Sequence, residues 1–172
     1  MKLGSIGSAQ RFEHLEKGDA FFWMRHGKKY VGIRTEGGGD VGAVLITLDR
    51  SDASGIPSPI SNFSKAQVFA GSPILSTPAL KFMICPSVDQ ISMGESISPQ
   101  PGKIYLFDSN RMFLAFRIYT ETGLLNIDSG DVSQIHEFKT TFPVVISEWE
   151  LVFDICGKVK TIFTYPVASV PH

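Results

Sequence analysis

The stretch Glu148-Trp149-Glu150-Leu151-Val152-Phe153-Asp154-Ile155-Cys156-Gly157-Lys158-Val159-Lys160-Thr161-Ile162-Phe163-Thr164-Tyr165 reads as a β-hairpin. Trp149, Leu151 and Phe153 alternate with Glu148, Glu150 and Asp154, the period-two pattern of a strand with one buried and one wet face. Ile155-Cys156-Gly157 fits a three-residue loop with Gly157 in the left-handed region. Such a loop sets Phe153 opposite Val159, Leu151 opposite Thr161, Trp149 opposite Phe163 and Asp154 opposite Lys158. Large apolar side chains then meet across the pair and opposite charges face each other.

Working outward, the same chemistry recurs. Ala20 to Arg25, His26-Gly27 and Lys28 to Ile33 form a second hairpin; Ile104 to Asp108, Ser109-Asn110 and Arg111 to Phe116 form a third. Val44–Leu48, Leu80–Ile84, Leu124–Ile127 and Val144–Ile146 are further strand candidates. Helix is expected only in short pieces. Ala9 to Lys17 is one, with Ser8 as N-cap, Phe12 and Leu15 on one face and Gly18 as the stop. Asp131-Val132-Ser133-Gln134 and Ser64-Lys65-Ala66-Gln67 have capping-box spacing, and each is expected to open a single helical turn.

Composition supports a folded, water-facing domain. The chain has 172 residues, a net charge of −1 and 43% hydrophobic residues, so it needs neither disulfide nor metal to hold a core. The near-neutral balance gives no overall attraction for nucleic acid or anionic lipid. The longest apolar run, Ala43-Val44-Leu45-Ile46, is far too short to span a bilayer, and the first ten residues hold no apolar leader, so a cytoplasmic home without membrane contact is expected. Cys85 and Cys156 form no CxxC pair, and His14, His26, His136 and His172 are scattered, so neither a metal nor another cofactor is expected.

The two halves of the chain resemble each other. Leu80 to Ile91 lies over Leu151 to Ile162 with Leu, Phe, Ile, Cys, Val and Ile matching at six of twelve positions. Lys17-Gly18 and its hairpin correspond to Pro101-Gly102 and its hairpin, Val44–Asp49 to Gly123–Asp128, and Phe63–Pro73 to Val132–Pro143, all in the same order. The offset falls from 84 to 79 to 69 and settles at 71, which places extra loop residues in the first copy. Pro86 stands where Gly157 takes positive φ, so the two loops must differ. The expected architecture is all-β: two similar tandem units of small barrel or sandwich type arising from an internal duplication, with only short helical turns. The first unit spans 1–97 with the short helix and an inserted loop near 51–62, and the second spans 98–172. The structural alternative is one continuous barrel or sandwich made of two intertwined halves.

Two such units pack naturally about a pseudo-two-fold axis and leave a groove for a ligand. The tip Arg25-His26-Gly27-Lys28-Lys29, flanked by Trp23 and Tyr30, mixes cations with aromatics and suits phosphate or a stacked base. Its counterpart Asp108-Ser109-Asn110-Arg111 lacks that basic character. The ordinary role of such a tip is protection of a sheet edge. Gly37-Gly38-Gly39-Asp40 lacks the Lys-Ser/Thr ending of a phosphate loop and reads as a connection, and Ser51 to Ser61 as a surface insertion. No nucleophile elbow, metal cluster or phosphate loop is present. The leading expectation is therefore a non-catalytic binding or protein-interaction module, using the inter-unit groove or the 25–29 tip, with a protein or a small molecule as partner and a homodimer compatible with the exposed sheet edges. Trp23, Arg25, His26, Lys28, Lys29 and Tyr30 are its candidate ligand-binding residues. The alternatives are a small-molecule enzyme with His14, His26 or His136 converging on a carboxylate, and a nucleic-acid-binding barrel, which the charge balance disfavours.

Overall fold

The structure is a computed structural model that describes residues 8–35, 42–48, 63–68, 71–76, 80–83, 91–93, 99–107, 111–118, 121–134, 143–155 and 157–165. These residues form fifteen strands and one 3-10 turn. Up to residue 97 they are β1 (Ser8–Arg11), β2 (Ala20–Arg25), β3 (Lys28–Thr35), β4 (Gly42–Thr47), β5 (Phe63–Gln67), β6 (Pro73–Ser76), β7 (Leu80–Met83) and β8 (Ile91–Met93). The second half contributes β9 (Ile104–Leu106), β10 (Met112–Ile118), β11 (Glu121–Asn126), β12 (Val132–Gln134), β13 (Val144–Ile146), β14 (Trp149–Ile155) and β15 (Lys158–Tyr165). The all-β expectation holds, and the build is compatible with two similar β units.

Twelve strands form one sheet and three form another. Within the larger sheet the order β1-β6-β2-β3-β4-β5 is followed by the same order in later strands, β8-β13-β9-β10-β11-β12. The two runs join where β5 meets β10 in parallel at Ser64 and Arg117. The smaller sheet runs β15-β14-β7, with β7 and β14 antiparallel. β8, which lies within the expected 1–97 unit, pairs with β13 of the 98–172 unit.

Burial follows the same plan. Phe12, Leu15, Phe21, Trp23, Ala43, Leu45, Val68 and Ile74 form a cluster private to the first half. Tyr105, Phe107, Phe113, Ala115, Leu124 and Val145 form one private to the second. Between them lies a shared core, in which Val31, Ile33, Val44 and Ile46 meet Ile104, Leu114, Phe116, Leu125, Trp149, Leu151 and Phe163. Apolar residues alternate to opposite faces of each strand, so each six-stranded run buries one face privately and shares the other. Trp149 anchors the shared core: it is 1% exposed, its Nε1–H donates to the Gly102 carbonyl at 2.7 Å, and its ring stacks on Tyr165 at 5.7 Å.

Several local expectations are corrected. Ala9 to Lys17 is not a helix: Ser8–Arg11 is β1, paired with β6 from Ser8↔Ser76 to Arg11↔Pro73, and only Phe12–His14 turns, as 3-10. The β6 edge supplies a ladder that outweighs local helix preference, while Phe12 and Leu15 are still buried, Phe12 edge-on to Phe21 at 5.1 Å. Gly18 therefore stops no helix; it takes φ +89° in the turn that leads into β2. Asp131–Gln134 and Ser64–Gln67 also open no helical turns, because Val132–Gln134 pairs with β11 and Phe63–Gln67 with β4.

The decisive hairpin forms, with a different register. Ile155 pairs with Lys158 across a two-residue turn, and Asp154 sits opposite Val159 rather than Lys158. The Asp154 carboxylate accepts the Gly157 N–H at 3.1 Å, so it closes the turn instead of crossing the ladder. A bulge between Leu151 and Val152 shifts the far end further, to Leu151↔Phe163 and Trp149↔Tyr165. Gly157 has the expected positive φ, +81°. In the third hairpin Phe113 faces Tyr105 and the Phe107 N–H reaches the Arg111 carbonyl at 3.5 Å, so three residues connect the strands, not two.

Candidate functional site

The β2–β3 hairpin joins Ala20–Arg25 to Lys28–Thr35. Its register runs from Ala20↔Ile33 to Arg25↔Lys28, as the sequence pattern requires. His26 and Gly27 close it at φ +50° and +76°, the two left-handed residues of a type I′ turn. Alternation then divides the candidate residues between two faces. Trp23 and Tyr30 lie opposite each other, rings 5.7 Å apart, on the face of the private cluster. Arg25 stands over the Trp23 ring at 5.5 Å, which leaves Trp23 only 8% exposed and without a free face for a base to stack on. Lys28, opposite Arg25, belongs to this face by register, and His26 sits at the apex. Lys29 lies opposite Met24 on the other face.

That other face carries a cleft. β6 pairs with β2 only at Phe21↔Ser76 and Phe22↔Leu75. The continued register would set Pro73 opposite Met24, and proline has no N–H to give the ladder. β6 instead follows β1, through Gln10↔Ile74 and Arg11↔Pro73. The fork so formed opens into a cleft of about 390 Å³ lined by Phe22, Trp23, Met24, Lys29, Leu48, Pro73, Ile74 and Leu75. Trp23 and Ile74, members of the private cluster, are among the residues that line it. Leu48 is held beside it by its N–H bond to the Lys29 carbonyl at 2.9 Å. Met24 is 70% exposed at the rim.

Of the six residues singled out in the sequence, Trp23 and Lys29 line the cleft, and Arg25, His26, Lys28 and Tyr30 do not. The remaining lining residues were hidden because their meeting depends on the long-range pairing of β2 with β6; the local signals are the Phe22-Trp23-Met24 run and Pro73 at a strand end.

His14 lies on the surface 3.9 Å from its neighbour Glu13, His26 is at a hairpin apex, and His136 lies outside the described residues. Among the described residues no three His, Cys, Asp or Glu side chains come together as a metal site, and no helix is long and apolar enough to cross a membrane. Gly37–Asp40, Ser51–Ser61, Cys85 and Cys156 also lie outside the described residues. Glu150 on the wet face accepts a hydrogen bond from Thr161 Oγ1 at 2.9 Å.

The halves touch at a second polar site. Gly18, where the chain enters β2, packs on the Asp128-Ser129-Gly130 turn between β11 and β12. Lys17 Nζ lies 2.6 Å from Asp131 Oδ1, and Ser129 Oγ donates to Asp131 Oδ2 at 2.6 Å. The Lys17 ammonium, then the Ser129 hydroxyl, hold the Asp131 carboxyl below its ordinary 3.8. Inside the turn, the Asn126 side chain accepts the Asp128 and Ser129 N–H groups at 3.0 and 3.1 Å. These contacts tie the entry to β2 onto the β11–β12 turn. Searches with the sequence and the structure matched no protein-family model, no curated protein and no solved structure.

Proposed function

We propose that this protein is a non-catalytic binding module whose ligand site is the cleft at the fork of β2 and β6. The cleft itself carries the reading: an open, apolar site of about 390 Å³, within the ~300–1,000 Å³ range of small-molecule sites, beside a cationic hairpin tip. A cytoplasmic location belongs to the same proposal.

Internal duplication accounts for the scaffold. The seven strands β1–β7 recur in order as β8–β14, and the strands matched in sequence, β7 and β14, are the two that pair. Their register sets Leu80 opposite Phe153 and Phe82 opposite Leu151. With Leu80 matched to Leu151 and Phe82 to Phe153, exchanging the copies maps each pair onto the other, which is the relation a two-fold axis through Lys81 and Val152 imposes. On this reading the repeat boundary falls before β8, and β15 is an added strand. Among the described residues the second copy's hairpin strand is shorter, since β9 ends at Leu106 where β2 runs to Arg25.

A thermal-shift screen with chemically diverse small molecules, on the wild-type protein and on Met24→Trp, tests the reading. Met24 is exposed, so the indole covers the cleft without entering the core. At 100 times its dissociation constant a ligand stabilises by about 2.7 kcal/mol, and that gain should vanish in the variant. No shift with any compound, or equal shifts in both proteins, would move binding away from the cleft.

A further inference from the structure

We infer that the cleft receives an extended peptide, which adds as a short antiparallel strand to the open end of β2, seats one apolar side chain in the cleft and lays the preceding acidic side chain against Arg25; this rests on the cleft being the ligand site. The main chain supplies the first part of the argument. Arg25 and Lys28 flank a two-residue turn, so they form a hydrogen-bonded pair, and the next pair, Met24 with Lys29, does not. Lys29 accordingly turns its carbonyl the other way, to the Leu48 N–H at 2.9 Å. Met24 likewise directs its N–H and C=O away from β3, as Phe22 does. Phe22 meets Leu75 of β6 there, but the ladder stops before Met24, opposite which Pro73 would stand. Among the described residues the Met24 main-chain groups therefore have no strand beside them, and such an edge pairs with an extended chain.

Side chains supply the second part. Successive residues of an added strand point to opposite faces, so the residue opposite Met24 faces the cleft and its neighbour opposite Arg25 faces the other side. On the cleft side Phe22, Met24, Leu48, Pro73 and Leu75 present almost no polar atom, which suits an apolar side chain. The other side carries Arg25 and Lys28, both exposed and directly opposite each other in the register. Like charges so placed repel, and among the described residues no carboxylate pairs with either. A carboxylate beside Arg25 relieves that repulsion, in a hairpin that holds no acidic residue from Ala20 to Thr35. An antiparallel strand runs from the tip toward the fork, so the acidic residue comes immediately before the apolar one. One such dipeptide meets the open edge, the cleft and the cations together, whereas a small apolar molecule meets only the cleft.

Amide NMR titration of the full chain with the acetylated, amidated peptide glycyl-aspartyl-leucyl-glycine tests each part. The peptide should bind and shift the Met24 amide signal. Methylating the leucine nitrogen removes the donor to the Met24 carbonyl and should weaken binding about fivefold. Replacing the leucine by alanine should weaken it about tenfold, and replacing the aspartate by asparagine about threefold. That threefold advantage of aspartate should disappear at high salt and in Arg25→Gln, and shrink in Lys28→Gln, whose side chain is exposed. Equal affinity of the methylated peptide would overturn the strand pairing, and equal affinity of the asparagine peptide would overturn the acidic neighbour. If no peptide binds while small molecules still give thermal shifts that Met24→Trp removes, the strand is refuted and the cleft stands as a ligand site. If neither peptides nor small molecules bind, both readings fail.

Discussion

Gly130 shows how one side chain's absence joins the two halves. It sits at φ +71°, and a Cβ there would lie 2.5 Å from the Gly18 nitrogen and 2.6 Å from the Arg34 carbonyl oxygen. Neither backbone atom can move freely, because the Gly18 N–H bonds the Arg34 carbonyl at 2.9 Å and the Gly130 N–H bonds the Asn126 carbonyl at 2.9 Å. Gly130→Ala therefore combines a strained conformation with a backbone clash, at a cost of about 3 kcal/mol or more. Urea denaturation should show the midpoint falling with the slope unchanged. A loss below about 0.5 kcal/mol would mean that the halves do not meet at this turn. The sequence marks Gly18 as a stop signal, but nothing near Gly130 in the chain reveals that its neighbour lies more than a hundred residues away.

At the scale of elements, the β2–β3 hairpin was legible because its turn chemistry is local. His26-Gly27 lies between alternating apolar strands and permits only one register. His26 nevertheless carries the left-handed φ of +50° on a side chain less suited to it than asparagine. His26→Asn should raise stability by about 0.5 kcal/mol, read as a higher Tm, with the binding cleft unaffected because His26 does not line it. A lowered Tm would show that the imidazole makes a stabilising interaction at the apex. Where elements depend on distant partners, local signals mislead. The N-terminal segment has helical spacing at Phe12 and Leu15, yet the β6 edge takes Ser8–Arg11 as a strand. Ile91 matches Ile162 in the sequence, yet β8 pairs with β13 while β15 folds back on β14. The candidate site shares this limit: the cationic tip is written in consecutive residues, whereas its apolar cleft exists only where Pro73 ends the β2–β6 ladder.

For the whole molecule, the shared core makes the halves interdependent, and Lys17–Asp131 is an electrostatic tie between them. The Asp131 carboxyl is held below its ordinary value first by Lys17 and then by Ser129, so the folded chain binds that proton less readily than the unfolded one. Its stabilisation is thus fully present above the unfolded pKa, about 3.9, and is lost as pH falls through the lower folded value. Asp131 is more than half exposed, so solvent screens the pair and the effect is small. Asp131→Asn should lower Tm modestly at pH 6, and the gap to the wild type should close as pH falls from about 5 toward 3. High salt at pH 6 should narrow the gap as well, since exposed pairs are screened within about 10 Å at 0.1 M. A gap constant across that range would show that Asp131 acts through its hydrogen bonds to the turn, which asparagine partly keeps, rather than through the charge that links β12 to the strand entering the candidate site.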